Sequence, residues 1–242
     1  MAAVKAKILS INSTIPIVDI THQVQCGDIA HAAFVLRSVY RDFPPGTIHL
    51  IAVNATGRSD SKCIAIELRG HFFIGNDTGI FGLLSKEDAR HVVDINALKP
   101  KSTTFPTRNI LAVAAARLAS GTAITDLGPR LDNYNRMLPR QLKATTEVIS
   151  GHVVRVDHYG NLITNIDKET FEVLSVQRNF TIRFGRERIH RVHEHVYQVE
   201  PGEVFVLFND LGLMEIGINT GNANKLLGLD FDSAVMIKLE KI

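Results

Sequence analysis

Cysteine is scarce in this chain, and tryptophan is absent. The two cysteines, Cys26 and Cys63, lie far apart and outside any Cys-x-x-Cys or metal-ligand spacing. Small secreted domains that depend on disulfides have many more cysteines at regular spacings. The sequence therefore predicts neither a disulfide framework nor a cysteine-based metal site, and it favours a cytoplasmic location.

Long apolar runs and blocks of like charge are also missing. No stretch approaches the roughly 18 consecutive apolar residues that cross a bilayer, and the N-terminus lacks the apolar segment of a signal peptide. The net charge of +2 comes from interspersed basic and acidic residues. A protein that binds a phosphate backbone usually carries a basic stripe. We therefore expect neither a membrane nor a nucleic acid among the partners.

The composition is that of an ordinary globular protein, with 45% hydrophobic and 21% charged residues over 242 positions. This length exceeds the usual size of one domain, and the hydrophobic period changes partway along the chain. We predict an α/β domain over residues 1–127, a connection over residues 128–147, and a smaller β-rich domain over residues 148–242. The connection is irregular and contains Pro129 and Pro139.

The first domain alternates between helical and strand-like segments, which predicts a mostly parallel sheet flanked by helices. The predicted helices cover Met1–Asn12, Ile29–Tyr40 and Ile110–Ala119. The predicted strands cover Ile15–Ile20, Ile48–Val53, Ile64–Ile66, Phe72–Ile74 and Val92–Ile95.

In the second domain the apolar residues alternate with a period of two, and Gly and Asp turns separate the runs. The predicted strands are Val148–Val156, Asn179–Phe184, Val204–Phe208, Leu213–Ile218 and Ala234–Leu239. This pattern is typical of an all-β domain built as an antiparallel sheet or a small barrel.

A polar turn interrupts the segment Gly151–Ile166. It places Asp157, Tyr159, Asn161 and Asn165 close together around Gly160. A carboxylate suits an ammonium group, and an asparagine amide suits the edge of a purine. These residues also commonly satisfy the backbone of a tight turn. By residue chemistry alone, a ligand site and a structural turn both remain open here.

A second polar turn, at Asn209 and Asp210, precedes the strand Leu213–Ile218 and is followed by Gly221–Ala223. It has the same two interpretations, a ligand site and a structural turn.

His190, His193 and His195 form no convincing metal site, because only the last two share one face of a strand. Gly79 and Gly82 are too loosely spaced for a dinucleotide-binding loop. We therefore expect no metal and no nicotinamide cofactor.

Together the two turns resemble signatures of the S-adenosyl-L-methionine (SAM) hydroxide adenosyltransferases, relatives of halogenases that act on the same sulfonium compound. The signature Asp-x-Phe-Gly-Asn-x-x-Thr-Asn-Ile is matched by Asp157–Ile166, with Tyr159 in place of Phe. The signature Asn-Ser-x-Gly-x-Leu-Glu-Ile-Ala is matched by Asn209–Gly217, with Asp210 in place of Ser. Three further motifs follow in the family's order, at Ile17–His22, Phe43–His49 and Phe73–Gly79.

The resemblance implies a homotrimer whose sites form between the N-terminal domain of one subunit and the C-terminal domain of its neighbour. SAM would bind there as substrate, with no further cofactor. Asp157 would hold the methionine ammonium, and Asn161 would bind the adenine edge. Tyr159 would supply an aromatic wall. Water or hydroxide would displace methionine from the ribose 5′ carbon, and the products would be adenosine and L-methionine.

The sequence departs from the family at the positions that handle this water. Active relatives use an Asp, an Arg seven residues later and a distant His, and here these positions are occupied by Asn54, Ser61 and Pro106. None of the three is a base or a cation near neutral pH. Asp60 could stand in for the missing carboxylate, with Lys62 and Arg58 close by in the same loop, and Asp77 is a further candidate site residue. The alternatives are a slow SAM hydrolase with a rearranged site and a catalytically degenerate trimer that binds an adenosine-type ligand as a sensor or interaction module.

Two further departures concern the ligand. Family members open with a strand carrying a Thr-Asp-Phe-Gly motif that grips the ribose, and this sequence begins at the following helix. We expect the sequence to be shortened, because a missing strand would leave unpaired backbone groups. Asp210 places a carboxylate where the substrate carboxylate would lie, which favours a ligand without that group, such as adenosine.

Overall fold

The chain up to Pro139 forms one unit in the computed structural model, and the chain from Arg140 onward forms a second. The structure describes residues 1–55, 61–98 and 103–240. Within these ranges, no helix is long and apolar enough to cross a membrane.

The described residues of the first unit form four α-helices: α1 (Ala2–Ile11), α2 (Ile29–Val39), α3 (Ile80–Leu84) and α4 (Ala112–Ala119). Three of them, α1, α2 and α4, were predicted from the hydrophobic period and are confirmed. Asp28 begins α2, because its carboxylate accepts a hydrogen bond from the backbone N–H of His31 (2.9 Å). A π-helical turn over Thr107–Leu111 leads directly into α4.

The sheet of this unit has four strands among the described residues: β1 (Ile48–Ile51), β2 (Cys63–Leu68), β3 (His71–Asn76) and β4 (His91–Asp94). Their order is β1-β3-β2-β4. Among these described strands, only β1 and β3 pair in parallel, while β2 pairs antiparallel with both β3 and β4. The prediction of a mostly parallel sheet was therefore wrong.

The missed feature is the hairpin between β2 and β3. Arg69 and Gly70 both have positive φ, at 53° and 77°, as in the two-residue turns that join antiparallel strands. The predicted strand Ile15–Ile20 was also wrong, since these residues form no strand. Ile15 and Ile17 pack instead against a small cluster formed by Ile8, Ala112 and Ala116.

The sheet lies between two helical layers because alternate residues of β2 point to opposite faces. Ile64 and Ile66 pack with residues of α2 and α3, whereas Cys63 and Ala65 pack with residues of α4. All four side chains are buried. This two-sided burial explains why the first four residues of β2, Cys63–Ile66, are all apolar.

All pairings between the described strands of the second unit are antiparallel, as predicted, and one isolated parallel bridge joins His193 to Leu207. The strands of this unit are β5 (Lys143–Ala144), β6 (Val148–Val156), β7 (Leu162–Asp167), β8 (Phe180–Phe184), β9 (Glu187–Ile189), β10 (Val204–Phe208), β11 (Leu213–Ile218) and β12 (Ala234–Leu239). The order is β10-β11-β7-β6-β12-β8-β9, and β5 pairs with β6. The long strand β6 pairs with β12 along its first half and with β7 along its second half.

Two short helices make this unit less purely β than predicted: α5 (Lys168–Ser175) and α6 (Ala223–Leu227). Asp167 ends β7 and begins α5, because its carboxylate accepts hydrogen bonds from the backbone N–H and the hydroxyl of Thr170 (2.7 and 2.8 Å). One apolar core fills the unit, and it includes Val153, Ile216 and Ile237.

Gly128 has no room for a side chain. A Cβ at this position would lie 1.8 Å from the backbone oxygen of Asp94, which cannot move without disturbing β4. We predict that Gly128→Ala lowers the free energy of unfolding by about 3 kcal/mol or more. Gly121→Ala is the control: Gly121 has open space but a φ of 94°, so we expect a loss of about 1 kcal/mol from backbone strain. Urea unfolding of both variants measures the difference, and equal losses would contradict the prediction.

Two buried histidines, His49 and His71, face each other in the first unit with 3.3 Å between His49 Nε2 and His71 Nδ1. Burial, and secondarily the charge of His71, lowers the pKa of His49 to about 4. The unfolded chain takes up this proton near pH 6.5. The contribution of His49 to stability is therefore fully present above pH 6.5 and is lost as the pH falls toward 4.

We predict that this loss amounts to about 3 kcal/mol between pH 7 and pH 4. His49→Phe keeps an aromatic ring against Phe73, on which His49 stacks, and it removes the titrating group. Urea unfolding at several pH values should show a shallower decline for the variant than for the wild type. Parallel curves would show that His49 does not contribute to the decline.

Candidate functional site

The turn between β6 and β7 is shaped by the carboxylate of Asp157. Its Oδ1 accepts a hydrogen bond from the backbone N–H of Asn161 (2.8 Å), and its Oδ2 accepts one from Asn161 Nδ2 (3.2 Å). The backbone N–H of Gly160 donates to the Asp157 carbonyl (3.2 Å), and Gly160 adopts a φ of 89°. The Asp157 and Asn161 side chains thus take part in the hydrogen bonds that form the turn, as the structural interpretation of the sequence predicted.

The turn between β10 and β11 is shaped by Asn209 in a similar way. Its Oδ1 accepts hydrogen bonds from the backbone N–H groups of Leu211 (3.1 Å) and Leu213 (3.2 Å). Its Nδ2 donates to Glu215 Oε2 (3.0 Å). Asp210 is exposed at the tip of the same turn.

Strand register brings the two turns together on one face of the sheet. Glu215 on β11 lies opposite Ile163 on β7 and opposite Leu207 on β10. Side chains two residues apart on a strand share a face, so Asn161 and Asn209 flank Glu215 on either side. Asp157, Asn161, Glu215 and Asn209 form a line across four strands, in which carboxylates and amides alternate. We call these four residues the polar row.

Glu215 was not among the residues predicted to form a site. The sequence does contain a signal for it, since Glu215 is the one ionisable residue within the strand Leu213–Ile218. Burial raises the pKa of its carboxyl, and the nearby charge of Asp157 raises it further. Hydrogen bonds from Asn209 and Asn161 act in the opposite direction. The polar row therefore holds two carboxylates in proximity, and it can attract a cationic or hydrogen-bond-donating ligand.

Tyr159 and Asn165 have different surroundings. The Tyr159 side chain is exposed (76%) and meets the His158 ring edge to face, with 5.8 Å between the ring centroids. Asn165 is occupied within its own unit, where its Oδ1 accepts from the backbone N–H of His152 (2.8 Å) and its Nδ2 donates to the Arg140 carbonyl (3.3 Å). Tyr159 thus offers an open aromatic face, while Asn165 joins β7 to β6 and to the start of the unit.

A polar cleft in the first unit brings Ser61, Lys62 and Asp77 together, because the pairing of Cys63 with Asn76 places the residues before β2 beside those after β3. The cleft has a volume of about 390 Å³. The remaining lining residues are Asn76, Thr78, Asn133, Tyr134 and Asn135. The Ser61 hydroxyl accepts a hydrogen bond from the Asn76 amide.

Asp77 is the acidic group of this cleft. Its carboxylate accepts hydrogen bonds from the backbone N–H (2.8 Å) and the side-chain amide (3.1 Å) of Asn135. Burial raises the pKa of the Asp77 carboxyl, although the Asn135 N–H and the charge of Lys62 lower it in part. A carboxyl with a raised pKa beside a cation is an arrangement able to position a water molecule and accept its proton.

The other positions predicted for water handling are placed elsewhere. Asn54 is exposed in a turn after β1 and has a φ of 57°, while Pro106 is buried at the start of the π-helical turn. Neither lines the cleft. Asp60 and Arg58 lie outside the described residues.

The histidines considered for a metal are not gathered into a site. His193 is buried, and its Nδ1 lies 3.1 Å from the carbonyl oxygen and 3.2 Å from the backbone nitrogen of Val206. His190 Nδ1 lies 3.2 Å from the Thr181 hydroxyl. In the described part of the chain, no group of three or more His, Cys, Asp or Glu residues could hold a metal ion.

Both units match known protein domains. Residues 1–128 match the N-terminal domain of the SAM hydroxide adenosyltransferases, and residues 151–236 match the C-terminal domain. The resemblance drawn from the turn signatures is therefore confirmed.

Two of the relatives that the chain resembles cover nearly all of it, and a third covers about three quarters. The chain is 28% identical to a protein named (R)-S-adenosyl-L-methionine hydrolase from Methanocaldococcus jannaschii, across 96% of this chain and 88% of that protein. It is similar to the crystal structure of an uncharacterized conserved protein from Thermotoga maritima, with a TM-score of 0.88 and 31% identity over 98% and 94% of the two chains. A fluorinase from Nocardia brasiliensis is 27% identical over 73% of this chain and 69% of its own. The chain therefore belongs to the SAM hydroxide adenosyltransferase family.

Proposed function

We propose that this protein binds SAM or adenosine through the polar row of its C-terminal unit and hydrolyses SAM slowly to adenosine and L-methionine. The observation that carries the proposal is the polar row itself. It assembles Asp157, Asn161 and Asn209, three residues of the family's two turn signatures, on one face of the sheet.

The chemistry of each residue fits one part of the ligand. The Asp157 carboxylate would bind the methionine ammonium by charge-assisted hydrogen bonds. The Asn161 amide would contact the adenine edge, and the exposed ring of Tyr159 would cover one face of the ligand. Asp210 adds a carboxylate at the edge of the site, which would disfavour the carboxylate of SAM relative to adenosine.

Hydrolysis requires an aligned water more than an acid, because the sulfonium leaves as a neutral thioether. The oxygen of the water would form a bond to the ribose 5′ carbon as the carbon–sulfur bond breaks, and the water would lose a proton to a base. We propose Asp77 as that base and Lys62 as the adjacent cation. This pair would replace the functions absent at Asn54, Ser61 and Pro106.

A second candidate function is a non-catalytic trimer that senses or transmits the presence of an adenosine-type ligand. It is favoured by Asn54, Ser61 and Pro106, which supply neither a base nor a cation.

For both candidate functions we propose a homotrimer whose sites form between subunits. We also propose that the protein is located in the cytoplasm. Cys26 and Cys63 form no disulfide among the described residues, which fits a reducing compartment.

Turnover separates the two candidates. Purified protein incubated with SAM should release adenosine and L-methionine in equal amounts, measured by chromatography against a no-protein control. Because Asp77 must be deprotonated to accept the proton, the rate should rise with pH through its raised pKa and then level off. SAM binding without adenosine would support the non-catalytic candidate.

Asp77→Asn tests the proposed base with little change in shape. We predict at least a hundredfold loss of kcat, in the range usual for removal of a general base, with SAM affinity by calorimetry close to that of the wild type. Asp126→Asn, an exposed substitution in the same unit, is the control and should leave both quantities unchanged. A fully active Asp77→Asn variant would remove Asp77 from the mechanism.

Asn161→Ala tests the binding half of the site. We predict that adenosine affinity falls by about 1 to 3 kcal/mol, because the purine edge loses its partner. Asn179→Ala, at an exposed position of the same unit, should bind like the wild type. Calorimetry measures both affinities, and thermal unfolding reports any loosening of the turn. Unchanged adenosine affinity for Asn161→Ala would leave the residue with a purely structural role.

A further inference from the structure

Basic side chains line the outward face of the sheet region formed by β5, β6, β12, β8 and β9. Arg183 on β8 is exposed between the buried residues Ile182 and Phe184, so its side chain points away from the core. Lys238 on β12 alternates with buried neighbours in the same way. Both strands therefore direct a cation to the solvent on the side of the sheet opposite the apolar core.

The strand register gathers further cations on this surface. Arg188 on β9 lies directly opposite Arg183, and Arg183 lies opposite Met236 on β12. Met236 pairs with Ser150 on β6, and Ser150 pairs with Lys143 on β5. Residues that oppose each other on neighbouring strands share a face, and so do residues two positions apart on one strand. The cations on this surface, which we call the basic face, are Lys143, Arg183, Arg188 and Lys238.

The protein does not neutralise the charge of the basic face. In the described part of the chain, none of its four residues forms an ion pair with a carboxylate. Their other cross-strand neighbours, none of them acidic, are Val148, Ser150, Thr181 and Met236. The second unit contains 14 acidic and 12 basic residues. Its cations are thus concentrated on one surface without being in excess overall.

Arg183 and Arg188 repel each other across the β8–β9 pair. Directly opposed side chains on antiparallel strands have Cβ atoms about 4.5 to 5.5 Å apart, and like charges at that separation are destabilising. An anion between the two guanidinium groups would remove the repulsion and accept charge-assisted hydrogen bonds from both. This part of the basic face is therefore more favourable with a bound anion than without one.

The extent and composition of the basic face indicate which anion fits. The cations are spread over five strands, about 19 Å at roughly 4.8 Å per strand, so the ligand is elongated. The paired positions of this face carry no aromatic side chain, whereas proteins that bind single-stranded nucleic acids stack the bases on such rings. An extended acidic peptide presents carboxylates to one side only at every second residue. A chain of directly linked phosphates presents a charge at every link and has no base to accommodate.

We propose that the basic face binds linear polyphosphate. Arg183 and Arg188 hold one phosphate between them, and Lys143 and Lys238 bind phosphates farther along the chain. The site shares no residue with the polar row and does not depend on the function proposed for that row. The four cations are spread from position 143 to position 238, so only the register of the strands brings them together.

Fluorescence anisotropy with a labelled polyphosphate chain tests the proposal on the full-length protein. Arg183→Gln/Arg188→Gln should raise the dissociation constant at least about tenfold at low salt, because charge-assisted hydrogen bonds to phosphate are lost. Lys86→Gln/Arg117→Gln is the matched control, since it removes the same charge from exposed positions of the first unit, and it should change the constant less than about twofold. Equal weakening by the two double variants would show a simple effect of net charge and would overturn the proposal.

Salt dependence and thermal unfolding give two readouts that a merely solvated surface would not move. The logarithm of the affinity should fall linearly with the logarithm of the salt concentration, less steeply for Arg183→Gln/Arg188→Gln because fewer counterions are released. Polyphosphate should raise the melting temperature of the wild type and leave that of the double variant unchanged. Without polyphosphate, Arg188→Gln should melt at least as high as the wild type, because it removes one of two like charges. A lower melting temperature would show a structural role for the arginine pair and would overturn the proposal.

Two other polyanions test the assignment to a phosphate chain. Duplex DNA and poly-L-glutamate, matched to the polyphosphate in total charge, should bind at least about tenfold more weakly, which corresponds to about 1.4 kcal/mol. Equal affinity for either one would overturn the assignment to polyphosphate. A wild-type protein that does not bind polyphosphate at low salt would overturn the proposal outright.

Discussion

Antiparallel pairing of β11 with both of its neighbours is the constraint on which the candidate site depends. It places a carboxylate, Glu215, between two strands that each carry an asparagine at the matching end. A half-buried carboxylate without hydrogen-bond donors would be costly. Asn209 Nδ2 provides one such donor, and Asn161 lies beside Glu215 at the start of β7. Each asparagine also takes part in the hydrogen bonds of a turn. The sheet register therefore places the two turns on either side of one carboxylate.

Sequence patterns predicted the elements of the fold better than their connections. The helical period identified α1, α2 and α4, and the period of two identified the main strands of the second unit. The direction of pairing in the first unit was missed, because both faces of its sheet are buried and an apolar run does not distinguish parallel from antiparallel neighbours. The hairpin signal, Arg69-Gly70, contains a residue that rarely adopts positive φ. The strand predicted over Ile15–Ile20 was wrong because β-branched residues also pack well against helices, as Ile15 and Ile17 do here.

For the candidate site, the polar turns were visible in the sequence, but the residue that connects them was not. Asp157, Asn161 and Asn209 stand out because polar residues with glycine interrupt apolar strands. Glu215 lies inside a strand, where a single charged residue most often faces solvent. Its position between two asparagines depends on the register of three strands, which only the structure provides. Lys62 and Asp77 were candidates from the sequence, but they are 15 positions apart, and only the pairing of β2 with β3 shows that they line the same cleft.

The choice between a structural turn and a ligand site at Asp157 turns out not to be exclusive. A carboxylate offers about four acceptor positions on its two oxygens. The backbone N–H and the side-chain amide of Asn161 occupy one position on each oxygen, so acceptor capacity remains for an ammonium group. The hydrogen bonds that shape the turn also hold the carboxylate in one orientation before any ligand arrives, which reduces the entropy that binding would otherwise cost. Turn formation at Asp157 is thus compatible with the binding role proposed for it, and the same logic applies along the row to Glu215, which accepts a hydrogen bond from Asn209 Nδ2 at 3.0 Å.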